Sequence, residues 1–112
     1  MIVIVARAEC ESAEQAEALC ALAAPCSEAT RQEPGCAEYT FARDVVTPNA
    51  VVLIELWDNE DALAAHMTTP HFGTYMAGFM GMNVPMRARA FENGQEFDIA
   101  QRMGALIARA TS

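Results

Sequence analysis

The sequence predicts an α+β fold: an antiparallel four-stranded sheet with helices on one face, in the ferredoxin-like, split β-α-β order β-α-β-β-α-β. Three observations predict it. The chain opens on an apolar, β-branched run from Ile2 to Ala8, and a stretch with helical periodicity follows. Two strand-like runs then flank a single turn, helical spacing returns, and a last strand-like run closes the pattern.

Ile2 to Ala8 lacks polar alternation, the mark of a strand buried on both faces. Ser12 with Gln15 forms a capping box, after which Ala16, Leu19, Cys20, Ala23 and Cys26 recur at three- and four-residue steps. Pro25 removes a hydrogen bond from that helix, so a kink or restart is expected there, and Glu33-Pro34-Gly35 ends it. Cys36 to Asp44 and Val51 to Trp57 read as a hairpin about Thr47-Pro48-Asn49. Asp58 or Asn59 caps a short helix over Asp61 to His66, interrupted by Thr68-Thr69-Pro70, and a second helix runs from Pro70 to about Phe79. Pro85 to Phe91 is the fourth strand. Beyond the turn pair Asn93-Gly94, Phe97, Ala100, Met103, Leu106, Ile107 and Ala110 keep helical spacing, weakened at Gly104 by about 1 kcal/mol relative to Ala. The expected division is a core domain over 1–92 and a C-terminal helical extension over 93–112. That helix must pack on something to persist, on the helix layer of its own subunit or on a partner subunit, and the partner is the surface expected.

Composition narrows the function. A chain of 112 residues fits one domain, which buries only about two-thirds of its unfolded surface. Yet 53% of its residues are hydrophobic, seven of them Met, an excess that points to a subunit interface or an apolar pocket. Seven Lys and Arg against fifteen Asp and Glu give a net charge of -8, which repels nucleic acid and anionic membrane alike. The N-terminal run Met1 to Val5 has no preceding basic residues and is far shorter than a leader or a span, so a cytoplasmic protein is expected. Cys10, Cys20, Cys26 and Cys36 match no CxxC pattern and read as reduced, buried thiols.

The residues with chemical potential cluster between positions 33 and 75. His66 and His71 are the only histidines, and the only side chains whose unperturbed pKa lies near neutrality, which makes them the natural bases; structural hydrogen bonding is the alternative role. A five-residue step on one helix sets side chains about 140° apart, so the pair is not expected to hold a metal. Glu55 and Trp57 share one strand face. Glu55 is then either a poised base or the structural partner of a His or Arg, and Trp57 either core or a stacking surface. Phe72 and Tyr75 are expected to wall the same cavity, with Tyr39 joining them if the hairpin register turns it inward. Met76, Met80, Met82 and Met86 read as adaptable lining. With no glycine-rich nucleotide loop and no metal-ligand spacing, neither metal nor flavin is expected.

Glu55-Leu56-Trp57-Asp58, then Ala62 to His66, then Thr69-Pro70-His71-Phe72, together with Glu33-Pro34-Gly35-Cys36 followed by Tyr39, resemble the antibiotic biosynthesis monooxygenase family, including its quinol monooxygenase branch. The resemblance spans roughly Ile2 to Phe91. It implies a homodimer, the dimeric α/β barrel, with a pocket between each sheet and its helices. It further implies O₂-dependent oxidation of a small electron-rich aromatic (quinol, phenol or anthrone) without metal or flavin. In the anthrone-oxidising branch an Asn four residues before the strand-three Trp would be expected, and Leu53 stands there. The haem-degrading branch would place an Asn in strand one and a Trp near position 66, and neither is present. The alternatives are a non-catalytic dimeric domain for a hydrophobic ligand and an isomerase or lactone-processing relative of the same fold.

Overall fold

The computed structural model describes residues 1–111. Its elements are β1 (Ile2–Glu9), α1 (Ala13–Thr30), β2 (Cys36–Arg43), β3 (Ala50–Trp57), α2 (Glu60–Met67), α3 (Pro70–Met82), β4 (Met86–Glu92) and α4 (Ile99–Thr111). The strands form one antiparallel sheet in the order β2-β3-β1-β4, so β3 is inserted between β1 and β2 and the α+β, split β-α-β expectation holds.

Strand alternation assigns the sheet two faces. On one, Ile2, Ala6 and Ala8 of β1 and Val51, Glu55 and Trp57 of β3 are buried, covered by Leu19, Ala23 and Cys26 of α1 and by Tyr75 and Phe79 of α3. On the other, Val3, Val5, Val52, Ile54, Leu56 and Phe91 form an apolar surface that no helix covers. The double-sided burial expected of β1 is thus met on one face only within a single chain, and Val5 is 44% exposed.

Ser12 caps α1 as expected, its Oγ accepting from the Gln15 N–H at 3.0 Å. The expected break at Pro25 does not occur, and α1 runs unbroken through it. Pro25 and Ala21, whose carbonyl would accept the missing N–H, both lie on the exposed side, where water can replace the lost bond. At the start of β2 a bulge between Cys36 and Glu38 resets the register. Tyr39 thereby turns inward, opposite Glu55. α3 extends to Met82 and stops at Asn83, whose left-handed φ of 54° closes the helix. α4 begins later than its periodicity implied, at Ile99, because Asp98 caps it by accepting from the Gln101 N–H at 3.1 Å. All four cysteines are free thiols.

Candidate functional site

Three segments converge beneath the α2–α3 corner. Asn59 starts α2 by accepting from the Ala62 N–H at 2.9 Å, and His66 occupies its last turn. Thr69 joins the two helices: its hydroxyl donates to the His66 carbonyl at 2.7 Å and accepts from the Phe72 N–H at 3.3 Å. His71 thereby falls in the first turn of α3. The third segment is the turn after α1, where Gly35 takes φ +82° and a Cβ on it would lie 2.5 Å from that of Ala62. Only glycine allows this approach, and it brings Glu33 under both imidazoles.

A single oxygen, Glu33 Oε2, receives both rings, His66 Nδ1 at 2.9 Å and His71 Nε2 at 2.7 Å. Burial disfavours ionisation of Glu33, but the His66 and His71 hydrogen bonds outweigh it and hold the carboxyl below its usual range. An ionised carboxylate only accepts, so both nitrogens facing it donate. In its neutral form His66 is then protonated at Nδ1, with the lone pair on Nε2.

That nitrogen is the unusual atom of the site. His66 is 1% exposed, and its Nε2 is buried without a hydrogen-bond partner among the described residues. The ring is enclosed by Trp57, Phe72 and Tyr39, with centroids 4.8, 4.9 and 5.4 Å away. Orphaned buried polar atoms of this kind are uncommon and mark positions where a ligand, water or proton completes the structure.

Glu55 lies in the same interior. The sequence left it as a poised base or the structural partner of a His or Arg; its side-chain bond is from the Trp57 indole, Nε1 to Oε1 at 3.0 Å. Burial pushes its carboxyl up, and the Trp57 bond and, when that ring is protonated, His66 offset this only in part. Burial also pushes the phenols of Tyr39 and Tyr75 up, so both act as O–H donors and not as bases at neutral pH.

The structure divides the expected cavity in two. Trp57, Tyr39 and Phe72 box His66, whereas Tyr75 belongs to an adjoining apolar gap with Phe41, Leu53, Phe79 and Met86. The gap has room for about 10 Å³, on the order of one water. Contacts from Tyr39 to Phe41 (5.8 Å) and Phe41 to Tyr75 (5.5 Å) link the two regions. Tyr75 also borders an outer groove of about 500 Å³ between α1 and α3, lined by Pro25, Cys26, Pro70, His71 and Thr74. Of the methionines expected as lining, Met86 lines the gap and Met76 and Met82 pack on the core, but Met80 is 69% exposed.

One sequence reading needs correction, and one residue of the site was not singled out. His66 and His71 do not share a helix; the break at Thr68-Thr69 puts them on α2 and α3, so the 140° separation does not apply. Their ring nitrogens and the Glu33 carboxylate all lie within 4.8 Å of one another, a metal-ligand grouping that spacing alone hid. Glu33 itself was read as part of a helix-ending turn. Its place directly before the Pro-Gly pair was the available signal.

Comparison with known proteins decides the lineage. The family profile described as antibiotic biosynthesis monooxygenase matches residues 1–78. The chain belongs to the antibiotic biosynthesis monooxygenase family. A candidate monooxygenase of this family from Deinococcus radiodurans is 30% identical in sequence. It superposes with a TM-score of 0.78, covering 88% of this chain and 98% of that one. SnoaB from Streptomyces nogalater, a cofactor-independent oxygenase, has the same fold at 18% identity and TM-score 0.68, covering 86% and 95%. An uncharacterised Synechocystis protein is 35% identical over 63 residues, 56% of this chain, which spans less than half (43%) of that relative. The family match ends within α3 and does not include α4. No helix among the described residues is long and apolar enough to cross a membrane.

Proposed function

We propose that this family member is a cofactor-independent monooxygenase acting on a small electron-rich aromatic of the quinol, phenol or anthrone type, with His66 as the base. The observation that carries the reading is the buried, unpartnered Nε2 of His66 in an aromatic box, backed by Glu33. Glu33 holds the tautomer and stabilises the imidazolium that forms, the arrangement by which a carboxylate orients a catalytic His.

The chemistry needs a base and a dry enclosure. Nε2 removes a proton from an acidic C–H or O–H, and the resulting carbanion or phenolate passes one electron to O₂. Recombination of the radical with superoxide forms the C–O bond of a hydroperoxide. Loss of water, with the proton returned from His66, leaves a carbonyl: one oxygen atom stays in the product and the other leaves as water. Trp57 and Phe72 supply stacking surfaces, while Tyr39 and Tyr75 donate hydrogen bonds to substrate oxygens, a role that Leu53 cannot fill. Glu55, its carboxyl pushed up by burial, shapes the pocket and holds Trp57. His71 steadies Glu33. The interior gap is too small for an aromatic ring as it stands, so the substrate enters from the α1–α3 groove by displacing Tyr75, which borders both.

The open apolar sheet face supports a homodimer. The same atoms would serve a non-catalytic ligand-binding domain, with Nε2 as a simple acceptor. Oxygen uptake by chelator-treated protein against a panel of quinols and anthrones separates the two, because turnover lost in His66→Gln supports the base. Ligand-induced thermal stabilisation without oxygen consumption by any panel member would leave only the binding role.

A further inference from the structure

We propose that Glu33, His66 and His71 also form a binding site for a divalent transition-metal ion such as zinc(II), and that occupation of this site switches off the His66 base by exchanging its tautomer. The binding half stands on geometry alone; the inhibitory half rests on the function proposed above.

Two imidazoles and one carboxylate from three different segments offer one ligand atom each, all within 4.8 Å of one another. Two His and one carboxylate form a three-residue donor set of the kind that holds zinc with an exchangeable fourth position. Tetrahedral bonds of about 2.0–2.1 Å hold ligand atoms roughly 3.4 Å apart, so the two hydrogen-bonded separations of 2.9 and 2.7 Å open slightly and the rings draw together. His71, a quarter exposed and on the rim of the 500 Å³ α1–α3 groove, supplies the freedom for that adjustment and the route for ion and water. The His66 backbone is fixed by its bond from Thr69, which leaves Glu33 and His71 to close on the ion.

The consequence follows from imidazole chemistry. A neutral ring carries one N–H and one lone pair. With the Glu33 carboxylate alone, Nδ1 of His66 holds the proton and Nε2 the lone pair. An ion on Nδ1 takes that nitrogen's lone pair, so the proton moves to Nε2. His71 shifts its own proton from Nε2 to Nδ1 in the same way, and no net proton is released. The buried atom that would accept a proton from substrate becomes a donor, and the ion thereby acts as an inhibitor.

Metal-free protein is to be titrated with cobalt(II), read by visible absorption, and with zinc(II), read by calorimetry. The expected result is one ion per chain at micromolar concentration with a four-coordinate cobalt spectrum. Glu33→Gln and His71→Ala should each weaken binding at least roughly 10- to 100-fold. His71→Asn replaces His71→Ala if the latter does not fold. Long-range ¹H–¹⁵N correlation on histidine-labelled protein should show His66 protonated at Nδ1 without metal and at Nε2 with zinc. Unchanged affinity in the variants overturns the site, and an unchanged His66 tautomer on saturation overturns the switch. Neither readout needs a substrate, so both stand even if no oxygen uptake is ever found. Where uptake is found, zinc should abolish it in proportion to occupancy and a chelator should restore it; stimulation by zinc would also overturn the switch.

Discussion

Glu33 and His66, thirty-three residues apart in the chain, are joined Oε2 to Nδ1 at 2.9 Å, and the same oxygen holds His71 at 2.7 Å. The pairing fixes which nitrogen of His66 faces the aromatic box. It also ranks the variants. His66→Ala should lower turnover by about 10²- to 10⁴-fold, the usual contribution of a base. Glu33→Gln should also lower turnover, because a neutral amide no longer stabilises the imidazolium that forms. His71→Ala removes only a prop of Glu33 and should cost less than His66→Ala. The check is initial oxygen-uptake rates in chelator-treated samples; equal activity in wild type and His66→Ala refutes the base.

The fold was legible because its signals are local. The apolar run of β1, the Ser12 cap and the Pro70 start of α3 each act within a few residues, and each stands where expected. Pro25 misled because its cost depends on which side of the helix it faces, which depends on tertiary packing. Among the site residues, Trp57 and Glu55 were readable from strand alternation, but the bond between them was not. The Glu33–His66–His71 cluster was hidden for a different reason: it forms between three segments across a glycine turn, and neither the positive φ of Gly35 nor its approach to Ala62 has a periodic signature.

Glu55 should make the folded state less stable as pH rises. Burial raises its folded-state pKa above the unfolded value of about 4.3. Between those two values the folded protein holds more protons than the unfolded chain, so its contribution is full below about pH 4.3 and is lost as pH rises through the folded pKa. The titratable groups sharing its surroundings are His66, Cys36, Tyr39 and Tyr75. Glu55→Gln keeps an oxygen for the Trp57 indole and removes the ionisation. Urea melts from pH 4 to 8 should show wild type losing stability relative to Glu55→Gln as pH increases, and parallel curves would contradict the assignment.

Val5 lies at the centre of the uncovered sheet face, paired with Ile54 on β3 and Arg89 on β4. An apolar surface of this kind on a small domain marks an interface. If this face forms the proposed homodimer, Val5→Arg should leave a monomer while sparing the fold, since the side chain meets no core in a single chain. Sedimentation equilibrium reads the outcome directly. A variant that still dimerised with wild-type affinity would move the interface elsewhere.

The last prediction concerns α4. Ile99, Met103, Leu106 and Ile107 form one stripe, yet they are 42–58% exposed and none of the helix's described residues is buried. A helix of 13 residues is marginal alone in water, so the stripe needs cover. Of the two surfaces open to it, the helix layer of its own subunit does not provide that cover. Asn93, with φ 61°, turns the chain directly after β4. Docking on a second copy is the expected route, and it matches the uncovered sheet face each copy would present. Truncation after Asn93 leaves every strand intact, so any loss is that of α4 contacts. The truncated protein should dimerise more weakly, melt at a lower temperature that depends on concentration, and bind more apolar dye. Unchanged dimer affinity and melting would make α4 a local appendage and dismiss the exchange.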